Sequence, residues 1–278
     1  MEENKARKII VAVAPVGRKV APPSINPLTP EEVAKEVIDC TLAGASMVHL
    51  HVRDSNGEQT EDITEFSKTI DIIRNSSDII IQGSTGGLST LTLEERCISV
   101  TDPRVEVASL NMGSVNFGED VYINRVPDIR YWAGRMAENR VVPELEIFES
   151  GMVAESQMLI EEGTLKPPFY YNLALGFHWA APADPRSLIY LTSLLPAGVP
   201  WSIIHDGMHD FTLLATAIAL GTSMVRVGFE DSVLYAPGKI AVTNVELVEK
   251  MVTFIHRIGY EVATPKEARK ILGLRDLS

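Results

Sequence analysis

Two histidines two residues apart, His49 and His51, sit in the apolar stretch MVHLHVRD, residues 47–54. In a strand, residues two apart share a face, so both imidazoles project to one side and Val48, Leu50 and Val52 to the other. Two neutral imidazoles on one face suit a borderline metal such as zinc; a pair of hydrogen-bonded core histidines is the plainer reading. A catalytic zinc needs a third ligand and an open position. The stretch MVRVGFED, residues 224–231, offers one, because Arg226, Gly228 and Glu230 alternate with Val225, Val227 and Phe229. The same residues also read as a solvated Glu230 beside an Asp231 that caps a helix.

Other polar residues fall after similar apolar runs. GSTGG contains Ser84, Thr85, Gly86 and Gly87. Glycines there let a ligand approach the backbone, and free N–H groups suit a carboxylate or oxyanion, although a simple turn uses the same residues. ASLNMGSVNFG offers Ser109, Asn111 and Ser114, and PELEIFESG crowds Glu144, Glu146 and Glu149. Three acids together point to a cation, a basic partner or a solvated rim. HDGMHD adds His205, Asp206, His209 and Asp210 as rim residues, with Asp210 also a fitting helix cap. Arg53 and Asp54 read as an ion pair bracing the rim.

These side chains need a frame that gathers strand ends. Short apolar runs, from KIIVAVAP to SMVRVG, alternate with longer helical patterns through eight strand–helix units. The expected fold is a (β/α)8 TIM barrel, one domain over residues 1–278 with its active site at the C-terminal ends of the strands; an open doubly wound sheet is the other arrangement. Helix signals support the first helix, where Thr29 caps, Pro30 opens and Glu32 completes a capping box, and the last, which repeats Thr-Pro-x-Glu from Thr264. A third helix is predicted around TLEERCISV. In a barrel the apolar set of the second strand faces the helices, so His49 and His51 point inward near the mouth. The eighth strand closes beside the first, which brings Glu230 within reach of them.

Composition sets limits on partners. The chain has 278 residues, 45 % of them hydrophobic, and a net charge of −12, which disfavours nucleic acids and anionic membrane surfaces. Cys40 and Cys97 form no CxxC pair and read as core thiols of a reducing compartment. The start, MEENKARKII, has no apolar signal-peptide region, and no run is long enough to span a membrane, so the expected location is the cytoplasm. No glycine motif for NAD or ATP follows a strand.

Taken together and in order, HLHVRD, STGG, ASLNMGSVNFG, VPELEIFESGM and VRVGFED resemble the beta-keto acid cleavage enzymes, the family of the 3-keto-5-aminohexanoate cleavage enzyme. The likeness runs from the first strand to ATPKEARKILGL. It implies a zinc-dependent (β/α)8 barrel, usually a homotetramer, that turns a small-molecule β-keto acid and acetyl-CoA into acetoacetate and a new acyl-CoA. It further implies that His49, His51 and Glu230 are the zinc ligands and that Ser84, Gly87 and Ser109 contact the keto acid. Arg226 and Asp231 become the catalytic pair, with Asp231 the base, and Glu146 a carboxylate that organises the site. In the aminohexanoate enzyme a glutamate in the first loop meets the substrate ammonium. Here that loop reads APVGRKVAPPS, with Gly17 at that place and Arg18 and Lys19 after it. The expected substrate therefore lacks the amino group. An anionic tail would suit Arg18 or Lys19, a neutral one fits if both face solvent, and His178 with Trp179 leaves a cationic tail open. A metal-dependent barrel hydrolase with a zinc-bound water is the competing class, drawing on His178, His205 or His209, and CoA dependence separates the two.

Overall fold

The computed structural model describes residues 6–17, 20–54, 56, 58, 60–86 and 91–275. The eight apolar runs form strands β1 (Lys8–Val13), β2 (Met47–Leu50), β3 (Ile80–Gly83), β4 (Val107–Asn111), β5 (Val142–Ile147), β6 (Tyr170–Leu175), β7 (Trp201–His205) and β8 (Met224–Val227). Each pairs in parallel with the next, and β1 pairs with β8 from Ile10–Met224 to Val13–Val227, so the sheet closes into the expected barrel. Helices α1 (Pro30–Leu42), α2 (Thr64–Arg74), α3 (Leu93–Arg96), α4 (Val126–Asn139), α5 (Ser150–Glu161), α6 (Pro185–Leu194), α7 (Thr212–Ala219) and α8 (Asn244–Arg257) follow the strands in turn. Two hairpins interrupt this order, Val115–Phe117 with Asp120–Tyr122 after β4 and Leu234–Ala236 with Lys239–Ile240 after β8.

Local signals account for several helix starts. Thr29 Oγ1 accepts from Glu32 N at 3.2 Å and Glu32 Oε2 accepts from Thr29 N at 3.1 Å, the predicted capping box of α1. The third helix departs from prediction. It stops after four residues and continues as a 3-10 turn over Ile98–Thr101. Ile98, Val100 and Thr101 are β-branched and disfavour helix, and Ser99 donates to the Ser84 carbonyl at 2.9 Å. That bond presses the turn against β3, where a Cβ on Gly83 would lie 2.7 Å from Ser99 Oγ.

The barrel interior is layered. At its N-terminal floor a last helix, α9 (Pro265–Leu272), inserts Ala268 and Leu272 against Ile10, Met47, Ile80 and Met224. Farther up, the buried inward side chains turn polar: His49, Gln82, Ser109, Glu144, Asn172 and Arg226. Val48, Leu50 and Val52 pack outward in the larger core between sheet and helices, as the alternation predicts. Cys40 and Cys97 are free and buried, and burial raises both thiol pKa values, which keeps them inert. Among the described residues no helix is long and apolar enough to cross a membrane.

Candidate active site

The mouth is organised around His49. Its register neighbour on β3 is Gln82, whose Oε1 lies 2.9 Å from His49 Nδ1. Gln82 Nε2 donates to the Tyr170 hydroxyl at 3.1 Å, so Oε1 is the acceptor and Nδ1 of His49 carries the hydrogen. The lone pair of His49 is thereby left on Nε2, 3.7 Å from Glu230 Oε1. His51 Nε2 is 3.0 Å from Glu230 Oε2. One ligand atom from each of the three residues lies within 4.8 Å of the others. Burial lowers the His49 pKa to about 3, so the ring is neutral at physiological pH. Burial works against the Glu230 carboxylate, yet His49, Arg226 and His51 together hold its pKa well below the ordinary range. A neutral Nε2 fixed in direction, a second imidazole and an ionised carboxylate converge, and this donor set fits a zinc-like divalent ion with room for a substrate.

Beside it, β8 ends at Val227 and the chain turns at Gly228, φ +138°, where a Cβ would lie 2.2 Å from the Ala14 carbonyl oxygen. Only glycine permits that approach. The turn carries Glu230 N to Ala14 O (3.2 Å) and Asp231 N to Gly228 O (3.0 Å), folding two consecutive acids back onto one arginine. Arg226 Nη2 donates to Glu230 Oε1 at 3.1 Å and Nε donates to Asp231 Oδ2 at 2.9 Å, while Nη2 also holds Asp231 Oδ1. No helix starts at Asp231, since α8 begins at Asn244, so the capping alternative falls away. Asp231 is buried with both oxygens on Arg226, and Arg226 lies on the cavity wall. Burial pushes its pKa up to about 6 against the pull of Arg226.

A cavity of about 620 Å³ opens above these groups. Ser84, Ser109, Glu146 and Arg226 lie on its wall together with His49, His51 and Glu230. Ser109 Oγ accepts from Thr85 N at 3.1 Å and Ser84 Oγ from Gly86 N at 3.2 Å. Burial, then the neighbouring Glu144, raises Glu146 to about 8, so it carries a proton at neutral pH. Glu149 and Ser114 are exposed and leave the site. Gly87, Arg18 and Lys19 lie outside the described residues. Arg53 also faces the cavity and donates to the Gly17 carbonyl, while Asp54 accepts from Asn56 N at 2.8 Å and Glu58 N at 2.9 Å. A Cβ on Gly17 would lie 2.5 Å from Glu230 Cγ. Of the extra histidines, His178 lines the cavity but stacks on Trp179 at 4.4 Å, and the grouping of metal-type donors found among the described residues is His49, His51 and Glu230.

Sequence reasoning passed over several residues. Gln82 carried a signal, since it shares a strand face with Ser84. Asn244 did not: its side chain ties Phe229 N (2.8 Å) to the Pro15 carbonyl (3.1 Å), binding the loops after β8 and β1 together from a helix start. The aromatic cavity wall, Phe117, Phe148 and Phe177, also went unseen.

The sequence pattern of one known family, described as beta-keto acid cleavage enzyme, matches residues 8–274. The chain is 38 % identical over 273 residues to a 3-keto-5-aminohexanoate cleavage enzyme of Fusobacterium nucleatum, covering 96 % of this chain and 98 % of the relative. It is 31 % identical over 273 residues to a 3-oxoadipate:acetyl-CoA acetyltransferase of Cupriavidus necator, covering 95 % and 94 %. Among solved structures, a binary complex of ObcA with oxaloacetate superposes with a TM-score of 0.78 at 20 % identity, over 90 % of this chain and 68 % of that one, a likeness of fold.

Proposed function

The chain belongs to the beta-keto acid cleavage enzyme family, and from that premise we propose that it converts a β-keto acid and acetyl-CoA into acetoacetate and a new acyl-CoA. The observation that carries this reading is the convergence of His49, His51 and Glu230 beside the Arg226–Asp231 pair at the base of one cavity. Named relatives act with acetyl-CoA.

A zinc ion held by His49, His51 and Glu230 would supply Lewis-acid stabilisation for charge developing on the keto acid. Ser84 and Ser109 orient its carboxylate. Asp231, with a pKa near 6 and oriented by Arg226, takes the proton from the carbon between the two carbonyls. The resulting carbanion forms a bond to the acetyl carbonyl carbon, and the CoA thiolate leaves. The thiolate then adds to the original keto carbon. The bond between that carbon and its neighbour breaks, which releases the new acyl-CoA, and the acetoacetate carbanion recovers its proton from Asp231. The protonated Glu146 donates a hydrogen bond to developing oxyanion charge.

The substrate lacks a 5-amino group, because Gly17 brings no acid to the first loop and packs against Glu230. We also take the protein to work as a cytoplasmic homotetramer. Two free cysteines suit a reducing compartment, and exposed Leu42, Ile189 and Tyr190 supply apolar surface for contacts between copies.

The test is acetoacetate and acyl-CoA formation by the zinc-loaded protein. Turnover that needs acetyl-CoA, vanishes on chelation and returns with zinc is the expected result. Consumption of a keto acid or thioester with water alone would replace this reading with a hydrolase.

A further inference from the structure

We propose that the aromatic wall of Phe117, Phe148 and Phe177 is the subsite for the tail of the keto acid, and that the tail is an uncharged hydrocarbon chain. This rests on the acyl-transfer reading above. The cavity has two unlike halves. Strands β2 and β8 supply His49 and Arg226, and the segments just after them supply His51, Arg53 and Glu230. This half matches the charged head of the substrate. Its outer side is closed, because Gly17 packs against Glu230 and its carbonyl holds Arg53.

The other half is mainly aromatic, although His178 and Asp206 also line it. Phe117 comes from the hairpin after β4, Phe148 from the end of β5 and Phe177 from the loop after β6, with Ile204 of β7 beside them. Phe117 and Phe177 stack at 5.1 Å and 11°, Phe148 meets Phe177 edge-on at 5.1 Å and 68°, and Phe117 and Phe148 are 5.4 Å apart. Phe117 and Phe177 remain partly accessible. Burying that surface favours a chain of methylenes. A carboxylate tail would find neither Arg53 nor Arg226 on this side, only His178 stacked on Trp179, and it would approach Asp206. A cationic tail needs open ring faces, but the stacked pair covers a face of each ring.

The experiment measures kcat/KM of the zinc-loaded enzyme with saturating acetyl-CoA. The substrates are 3-oxopentanoate, 3-oxohexanoate, 3-oxoadipate and 3-dehydrocarnitine. The proposal expects a gain of about threefold to fourfold from the five- to the six-carbon neutral acid, with both charged substrates below them. Phe117→Ala should remove that gain and leave the KM for acetyl-CoA unchanged. Phe117→Arg, at a partly accessible position, should raise the relative rate with 3-oxoadipate. Preference for either charged tail in the wild-type protein overturns the proposal without touching acyl transfer. A shifted KM for acetyl-CoA alone in Phe117→Ala overturns it too, by giving the wall to the thioester arm. No turnover of any keto acid would remove the acyl-transfer reading and this inference with it.

Discussion

Two arginines are buried at opposite ends of this barrel, each held by carboxylate, and their surroundings differ. At the floor, Arg269 of α9 bonds both oxygens of Glu106, at 2.6 and 2.8 Å, and Arg74 adds a contact at 3.3 Å. Its Nη2 also donates to the Asp78 carbonyl at 2.7 Å. Two cations thus share one buried acid, and the cluster locks the last helix under the barrel. At the mouth the balance is reversed. Arg226 serves both Asp231 and Glu230, while Glu144 is buried in the interior and Glu146 lines the cavity. Burial first, and then neighbouring carboxylates, raise Asp231 and Glu146. The lesson is that a buried ion pair saturated by its partners fastens elements, whereas one crowded by further acids beside a cavity is placed to move protons.

The contrast is broken most directly by neutralising each end. Asp231→Asn is expected to lower kcat by about 10²–10⁴-fold with little change in urea unfolding. An unfolding midpoint that falls with activity would make the mouth pair structural after all. Arg269→Met should do the opposite, costing about 3–5 kcal/mol of stability because Glu106 loses its main partner, while the folded fraction keeps its kcat. Loss of turnover at full stability would erase the distinction.

The pH profile sharpens the contrast. As Asp231 becomes protonated below about 6, kcat/KM should fall roughly tenfold per unit toward acid. A flat profile down to pH 4.5 would remove Asp231 as the proton acceptor. The smallest effect concerns Glu146, whose pKa of about 8 lies above its ordinary value of 4.5. The folded state keeps a proton that the unfolded chain has released, so this contribution to stability is full below pH 4.5 and lost as pH rises through 8. Glu146→Gln, which stays neutral, should therefore melt several degrees higher at pH 9, with the smallest difference at pH 5. Equal melting points across that range would show that Glu146 ionises normally.

Much of this site was legible because strands alternate. The parity of His49 and His51 against Val48, Leu50 and Val52 placed two imidazoles inside a barrel, and the same parity placed Ser84, Ser109 and Glu146 on the interior wall. Where alternation stops, so did legibility. Glu230 and Asp231 are adjacent, and an extended chain would send them to opposite faces, yet both reach Arg226. The third helix was overread because a local pattern carries no record of the pull of Ser84 on Ser99. The substrate contacts expected at Gly87 and Arg18 lie outside the described residues.

The sequence by itself determined the eightfold strand–helix order, the inward histidines, the capping boxes and the family, since each depends on near neighbours along the chain or on motif identity. Only the tertiary structure decided that Gly228 folds both acids onto Arg226, that Gln82 fixes the tautomer of His49, and that three phenylalanines from separate segments form one wall. The physical reason is distance along the chain. Alternation and capping act within a few residues, whereas Gln82 stands 33 residues from His49, and the position of Glu230 depends on Ala14 across the seam that closes the barrel.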